Sequence, residues 1–347
     1  MPSGLILYKN DITKLHQLIA SHTKTFVLLD EKSNQYCLTV LQKLGIINDT
    51  FVKIVIPAGE SNKNIDTVQY IWSQLIDNHA DRDSLLINVG GGMVTDIGGF
   101  AASCYQRGIA FINVPTTLLG MIDAAVGGKN GIDFKGLKNQ IGVFAQPEAV
   151  LVLFDFLDTL PKRELLSGLA EIIKYGFISD PMFFEAALPV EHEYIVKAIK
   201  LKDEITTGDS NEHGLRKILN FGHTIGHALE TYLMNTPKAI KHGEGVALGM
   251  ISALYISEKY CNLDHKWILY YKKLYAKIFN RISLRDLSVE DLLDIMRHDK
   301  KNQGGDIRFV LVSEPGKPVY DVAVNENDII DSVIYLTDYL EDDNYWN

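Results

Sequence analysis

Short apolar runs at Thr25–Leu29, Phe51–Ile56, Leu85–Val89 and Phe111–Val114 alternate with helix-compatible segments as far as about Val150. Runs of this length predict strands covered on both faces, and their alternation with helices predicts a parallel α/β domain. From Pro161 to Tyr175 the periodicity turns helical, and it stays so through Tyr194–Ile205, Leu215–Tyr232 and Gly243–Tyr260. The second half is therefore expected to be mainly helical. One β-hairpin is expected there, with Arg308–Val312 and Val319–Val322 flanking a loop that holds Pro315, Gly316 and Pro318. The expected division is an α/β domain over residues 1–150 and a mainly α-helical domain over residues 151–347.

A chain of 347 residues has room for two such cores, and 46% hydrophobic with 22% charged residues excludes a disordered or fibrous chain. Lys and Arg number 34 against 44 Asp and Glu, a net charge of −10, which argues against general binding to nucleic acid or anionic membrane. No apolar run of about 18 residues occurs, and the start lacks a cationic segment followed by an apolar one, so a cytoplasmic protein is expected. Cys37, Cys104 and Cys261 are far apart with no CxxC pair, the pattern of reduced thiols rather than of a disulfide framework or zinc ribbon.

The run Leu85–Val89 enters Gly90, Gly91 and Gly92, and a helix-compatible stretch begins at Asp96. Strand, glycine turn and helix together suit a pyrophosphate, because glycines admit a close backbone approach and a helix N-terminus offers unpaired N–H groups. The dinucleotide fingerprint G-x-G-x-x-G fails at Thr95, and the P-loop pattern before Gly128 and Lys129 fails at Asp123. Asp30 ends one apolar strand, where a carboxylate can accept from a ribose diol, and Gly59, Glu60 and Lys63 follow another. Asp30 lies about 60 positions before the glycines, whereas the standard fold puts its acidic residue about 20 after them. A dinucleotide site here needs another topology.

Between Arg107 and Lys138 an acidic protein gathers Arg107, Lys129 and Lys138 among glycines, Thr116, Thr117, Asp123 and Asn139. Lysines on glycine-bordered turns can converge on a phosphate, although a solvated loop would look similar. Further on, His223 and His227 stand four residues apart in helix-compatible sequence, so they share a face and suggest a divalent metal. A third ligand would come from Glu230, His242, Glu244 or Glu171. In the apolar stretch Leu165–Phe177, Glu171 and Lys174 are either a surface ion pair or buried groups that need a metal or an anionic partner.

Taken together, GGGMVTDIGGFAASCYQRG, VPTTLLGMIDAAVGGKNG, LKNQIGVFAQP, GLAEIIKYG, GLRKILNFGHTIGHALE and HGEGVALGM closely resemble the 3-dehydroquinate synthase family of sugar phosphate cyclases, in order and in spacing, from about Thr25 to Val312. The resemblance implies a homodimeric carbon–oxygen lyase with an NAD-binding α/β domain and a helical metal-binding domain. Its reaction converts 3-deoxy-D-arabino-heptulosonate 7-phosphate to 3-dehydroquinate and phosphate in the shikimate pathway. NAD takes a hydride and returns it, and zinc, with cobalt as a substitute, polarises the reacting hydroxyl.

By motif position the resemblance implies zinc on Glu171, His223 and His242. It moves His227, favoured by periodicity, to a phosphate pocket with Lys129, Asn139, Asn220 and the Arg107 position of a neighbouring subunit. Lys174, Lys202 and Arg216 match substrate positions, Lys202 and Arg216 toward a carboxylate, and Asp123 and Lys138 match other active-site positions. Asp30, Glu60, Lys63, Gly91, Gly92, Asp96, Thr116 and Thr117 match NAD contacts.

The chain departs from the family pattern at Asn130, usually Thr, at Asp133, usually Asn, and at Lys32, where Asn often stands. Asp133 adds negative charge near an anion pocket. Competing expectations are a cyclase that makes a cyclitol from sedoheptulose 7-phosphate or glucose 6-phosphate, an NAD-dependent polyol dehydrogenase, and a noncatalytic metabolite-binding relative.

Overall fold

In the computed structural model, residues 4–135, 137–234, 236–297 and 307–346 are described. The strands are β1 Leu5–Tyr8, β2 Thr25–Asp30, β3 Val52–Ile56, β4 Leu85–Gly90, β5 Ala110–Pro115, β6 Lys129–Phe134, β7 Leu137–Phe144, β8 Ala149–Val152, β9 Ile307–Glu314 and β10 Lys317–Val324. The α-helices are α1 Ile12–Ala20, α2 Glu31–Tyr36, α3 Leu38–Lys43, α4 Ile65–Asp77, α5 Gly92–Cys104, α6 Lys162–Ile178, α7 His192–Gly208, α8 His223–Leu233, α9 His242–Cys261, α10 Lys266–Ile278, α11 Val289–Arg297 and α12 Glu326–Glu341. No described helix is long and apolar enough to cross a membrane.

Contacts divide the chain into two compact units, one of Met1–Pro161 with Ile195–Asn211 and one of Lys162–Tyr194 with Glu212–Asn347. The expected single cut after residue 150 differs in two ways: the first unit runs on to Pro161, and most of α7 belongs to it.

The first unit is built on six parallel strands in the order β1-β8-β5-β4-β2-β3. All four strands expected from apolar runs are present, because Phe26, Leu28, Ile54, Leu86 and Phe111 fill a buried core with Val68, Ile71 and Val94 from α4 and α5. β1 and β8 have only four residues each, too short for their apolar character to stand out. β6 and β7 form an antiparallel hairpin where the sequence reads as a glycine loop. α5 begins at Gly92, a turn earlier than expected, with the Gly91 carbonyl accepting from Val94 and Thr95.

In the second unit the helical stretch expected over Leu215–Tyr232 is broken. Leu215–Asn220 is a 3-10 turn, Gly222 takes a left-handed φ of 76°, and α8 starts at His223. α8 and α9 then pack glycine against glycine. A Cβ on Gly249 would lie 1.9 Å from the Gly222 carbonyl oxygen, and one on Gly226 would lie 2.8 Å from that of Gly245. The expected hairpin is present as β9 and β10, with strands that reach to a tight Pro315–Gly316 turn. The Gly316 N–H donates to the Phe177 carbonyl at 2.8 Å and so caps the last turn of α6.

Backbone-to-backbone contact leaves no side chain to rearrange, so Gly249→Ala should cost about 1–3 kcal/mol as overpacking. Gly208 ends α7 with nothing within 4 Å of a Cβ, so Gly208→Ala should leave stability unchanged or slightly raised. Thermal melts of the two variants check this. Equal melting temperatures would show that the α8–α9 crossing tolerates separation.

Candidate functional site

Parallel pairing places the carboxyl ends of all six strands on one edge of the first unit's sheet, the edge at which such sheets bind ligands. Asp30 closes β2 there, Glu60 and Lys63 follow β3, Gly91 and Gly92 follow β4, and Thr116 and Thr117 follow β5. β2 pairs directly with β4, with Leu29 opposite Val89. The sheet order, not the sequence distance, therefore brings Asp30 beside the glycine turn. Asp30 Oδ1 also caps α2 by accepting from the Ser33 N–H at 2.6 Å. Lys32 is exposed in the first turn of that helix.

Lys63 is buried, and its ammonium donates to Asp96 Oδ2 at 2.5 Å and to Asn139 Oδ1 at 2.6 Å, with Glu60 at 3.7 Å. Burial opposes the charge on Lys63, but Asp96 and Glu60 outweigh it and raise its pKa. Burial pushes the Asp96 carboxyl up to about 6 in spite of Lys63. Lys202 of α7 forms an ion pair with Asp123 and donates to the Asp123 carbonyl as well. Lys129 opens β6, Lys138 lies half-buried on β7, and Arg107 is exposed with a left-handed φ of 72°.

Two of the three departures from the family pattern, Asn130 and Asp133, have structural partners. Asn130 is buried, and its amide donates to the carbonyls of Gly128 at 3.1 Å and Ala145 at 2.8 Å, bridging the neck of the β6–β7 hairpin. Asp133 Oδ1 accepts the N–H of Asn139 at 2.8 Å, and Asn139 is held at a left-handed φ of 50°. Asp133 thus steadies the residue whose side chain meets Lys63.

In the second unit Glu171 is fully buried in the middle of α6, among Leu169, Ala170, Ile172 and Ile173. It forms an ion pair with Lys174, whose ammonium donates to the Leu219 carbonyl at 2.7 Å. The Nε2 atoms of His223, at the start of α8, and of His242, at the start of α9, lie 3.4 and 3.3 Å from the same Glu171 oxygen, Oε1. Neither Glu171 oxygen accepts a well-aligned hydrogen bond among the described residues. Ligand atoms about 2.0–2.1 Å from a tetrahedral zinc stand about 3.3–3.4 Å from each other, so the two short approaches match edges of such a site. The buried charge, its lack of aligned donors and this spacing all fit a divalent ion. The His223, His227 and His242 ligand atoms also lie within 4.8 Å of one another, so His227 belongs to the same cluster.

Burial alone would raise the Glu171 pKa, but Lys174 and His223 outweigh it and hold the carboxyl well below its usual range. Burial and the Lys174 charge lower His223 to about 4. Burial disfavours the charged form of His242 too, but Glu171 and Glu230 prevail and raise it to about 10. The two imidazoles differ because the Lys174 charge opposes protonation of His223, while His242 meets a second carboxylate in Glu230.

Arg216 is buried in the Leu215–Asn220 turn. Asn220 donates from Nδ2 to Glu212 Oε1 at 2.8 Å, and Glu212 holds a left-handed φ of 59°. Glu212 has only one mark in the sequence, an acidic side chain just ahead of the Gly214–Asn220 motif, and no residue pattern singles it out. Of the other proposed third ligands, Glu244 binds Arg163 and caps the start of α9, while Glu230 faces His242.

The fold is that of the sugar phosphate cyclases. The chain aligns with 2-deoxy-scyllo-inosose synthase at a TM-score of 0.80 and 24% identity, over 96% of each chain. With 2-epi-5-epi-valiolone synthase from Streptomyces hygroscopicus the TM-score is 0.82 and the identity 23%, over 97% of this chain and 98% of the other. The model of the 3-dehydroquinate synthase N-terminal domain matches residues 53–167, and that of the C-terminal domain matches residues 168–302. Identity is 36% to the 3-dehydroquinate synthase of Parabacteroides distasonis, over 95% of this chain and 96% of that protein. It is 42% to that of Acetivibrio thermocellus, over 81% of each. The chain belongs to the 3-dehydroquinate synthase family.

A divalent ion that takes the Nε2 atoms must displace the proton that the raised pKa keeps on His242 at neutral pH. Zinc uptake at pH 7 should therefore release about one proton, and zinc affinity should rise with pH toward the His242 value. Calorimetry in two buffers of different ionisation enthalpy measures this. Identical heats in both would show His242 neutral before the metal arrives.

Proposed function

We propose that this chain converts 3-deoxy-D-arabino-heptulosonate 7-phosphate to 3-dehydroquinate and phosphate, with the first unit binding NAD and the second a divalent metal. The observation that carries this reading is identity of 36% to a 3-dehydroquinate synthase across 95% of the chain. The solved relatives described with NAD and with cobalt or zinc support the same cofactors here. When bound, NAD supplies reversible hydride transfer and the metal supplies Lewis-acid polarisation of the reacting hydroxyl.

Within this reading Glu171, His223 and His242 hold the metal, and Lys174 keeps Glu171 ionised. Asp30, Glu60, Lys63, Gly91, Gly92, Asp96, Thr116 and Thr117 serve NAD at the carboxyl edge of the sheet. Lys129, Lys138, Asn139, Asn220 and His227 are assigned to the phosphate, and Asp123 orients Lys202. Lys202 and Arg216 are assigned to the substrate carboxylate, which Arg can grip with two parallel hydrogen bonds. A homodimer that supplies Arg107 across its interface completes the assignment. Phe134, Leu137, Ile141 and Phe144, all exposed on the β6–β7 hairpin, provide apolar surface for it. Three cysteines without disulfides fit a reducing cytoplasm.

With heptulosonate phosphate, NAD and zinc, the purified protein should release phosphate and form dehydroquinate in equal amounts while no NADH accumulates. NADH released in step with product would mark a polyol dehydrogenase, and preference for sedoheptulose 7-phosphate a cyclitol-forming enzyme. Arg216→Ala should weaken transition-state binding by about 2–5 kcal/mol, read from kcat/KM, and leave zinc and NAD binding intact. His223→Ala and His242→Ala should lose zinc, whereas His227→Ala should keep it. Equal zinc loss in all three would return the metal to the paired helical histidines.

A further inference from the structure

The helical spacing of α8 puts His223, His227 and Glu230 at i, i+4 and i+7, along one face. Glu230 is buried at 8% exposure, where an ionised carboxylate needs a specific partner. Its Oε2 lies 3.3 Å from His242 Nδ1, while His242 Nε2 lies 3.3 Å from Glu171 Oε1. Each ring nitrogen of His242 thus faces a carboxylate oxygen, with the hydrogen bond at Nδ1. His223 is arranged in parallel, with Nδ1 3.0 Å from the Phe221 carbonyl oxygen and Nε2 toward Glu171. An acceptor at each Nδ1 keeps a proton on that nitrogen, so it is Nε2 of each ring that faces the metal position, and on His242 the Nε2 proton is the one a metal displaces. The acceptors differ in charge, a neutral carbonyl behind His223 and a carboxylate behind His242. Glu230 meets the nitrogen opposite the one that faces Glu171, so it stands behind the ring and does not share an ion with Nε2.

We propose that Glu230 is a positioning residue that fixes the tautomer and orientation of His242 and strengthens Nε2 as a donor, thereby setting the protein's affinity for its divalent metal. The proposal rests on the reading of Glu171, His223 and His242 as the metal ligands. A hydrogen-bonded carboxylate behind a ligating imidazole raises its basicity, and loss of such a partner typically costs 10- to 100-fold in metal affinity.

The test measures zinc affinity of the full-length protein by competition with a chromophoric chelator, together with the visible spectrum of the cobalt-loaded form. Glu230→Ala should bind zinc about 10- to 100-fold more weakly than the parent. Glu230→Gln, which can still present an amide oxygen to Nδ1–H, should show a smaller loss. The cobalt spectrum should keep its coordination number in both. In a His242→Ala background, where the residual zinc affinity of the remaining ligands is measured, Glu230→Ala should lower it no further, because its effect passes through that ring.

Parent-like zinc affinity in Glu230→Ala overturns the proposal, and so does a cobalt spectrum that reports one ligand fewer, which would make Glu230 a ligand itself. If Glu230→Ala does not fold, Glu230→Gln decides, and parent-like affinity there overturns the proposal. Failure of the underlying reading looks different: zinc affinity would then be the same in the parent, His223→Ala and His242→Ala.

Discussion

A carboxylate with no exposure to water is the constraint around which the second unit is arranged. An ionised Glu171 in the middle of an apolar helix would be prohibitive alone, and Lys174 one turn away on the same helix meets only part of its need. Two imidazoles from two further helices come within 3.4 Å of one oxygen without donating an aligned hydrogen bond to it, an approach that the close crossing of α8 and α9 allows. Gly222, Gly226, Gly245 and Gly249 permit that approach by leaving no side chains at the crossing. Seen this way, the glycines in GLRKILNFGHTIGHALE and HGEGVALGM are as much part of this buried cluster as its histidines.

The first unit solves a different problem, that of collecting groups scattered along the first 117 residues. Parallel strands all finish on one side of the sheet, so a residue at the end of any strand becomes the neighbour of residues at the ends of the adjacent ones. Lys63 draws Asp96 and Asn139 into one hydrogen-bonded group, although 33 and 76 positions separate it from them. Asp133 reaches that group through the Asn139 backbone, so its negative charge is engaged by the hairpin that carries it.

Legibility followed the range of the interaction. The four apolar strands and the long helices α6, α7 and α9 were readable because burial imposes a local pattern, as Phe26, Leu28, Ile54 and Leu86 do in the strands. The β6–β7 hairpin was not, because its exposed Leu137, Asn139 and Ile141 sit among glycines and charges that also suit a loop. At the histidine cluster, periodicity could pair His223 with His227, four residues apart, but had no means to choose His242 or Glu171 as the third partner. Those enter through the packing of α6, α8 and α9, which only the family motifs carried into the sequence reading. Glu230 appeared among the possible ligands, and its place behind the His242 ring became visible only with the ring's orientation.

The cap on α6 has a consequence for the order in which the protein is made. The carbonyl of Phe177 near the end of α6 receives its partner from Gly316, about 140 residues downstream. During synthesis the last turn of α6 closes locally through Ser179 and Asp180 on the Tyr175 carbonyl, but the Phe177 carbonyl waits for residue 316 to emerge. A ribosome halted before the β9–β10 hairpin would leave a nascent chain whose six-stranded sheet is already encoded in full, yet whose Glu171 helix still lacks the partner of its Phe177 carbonyl.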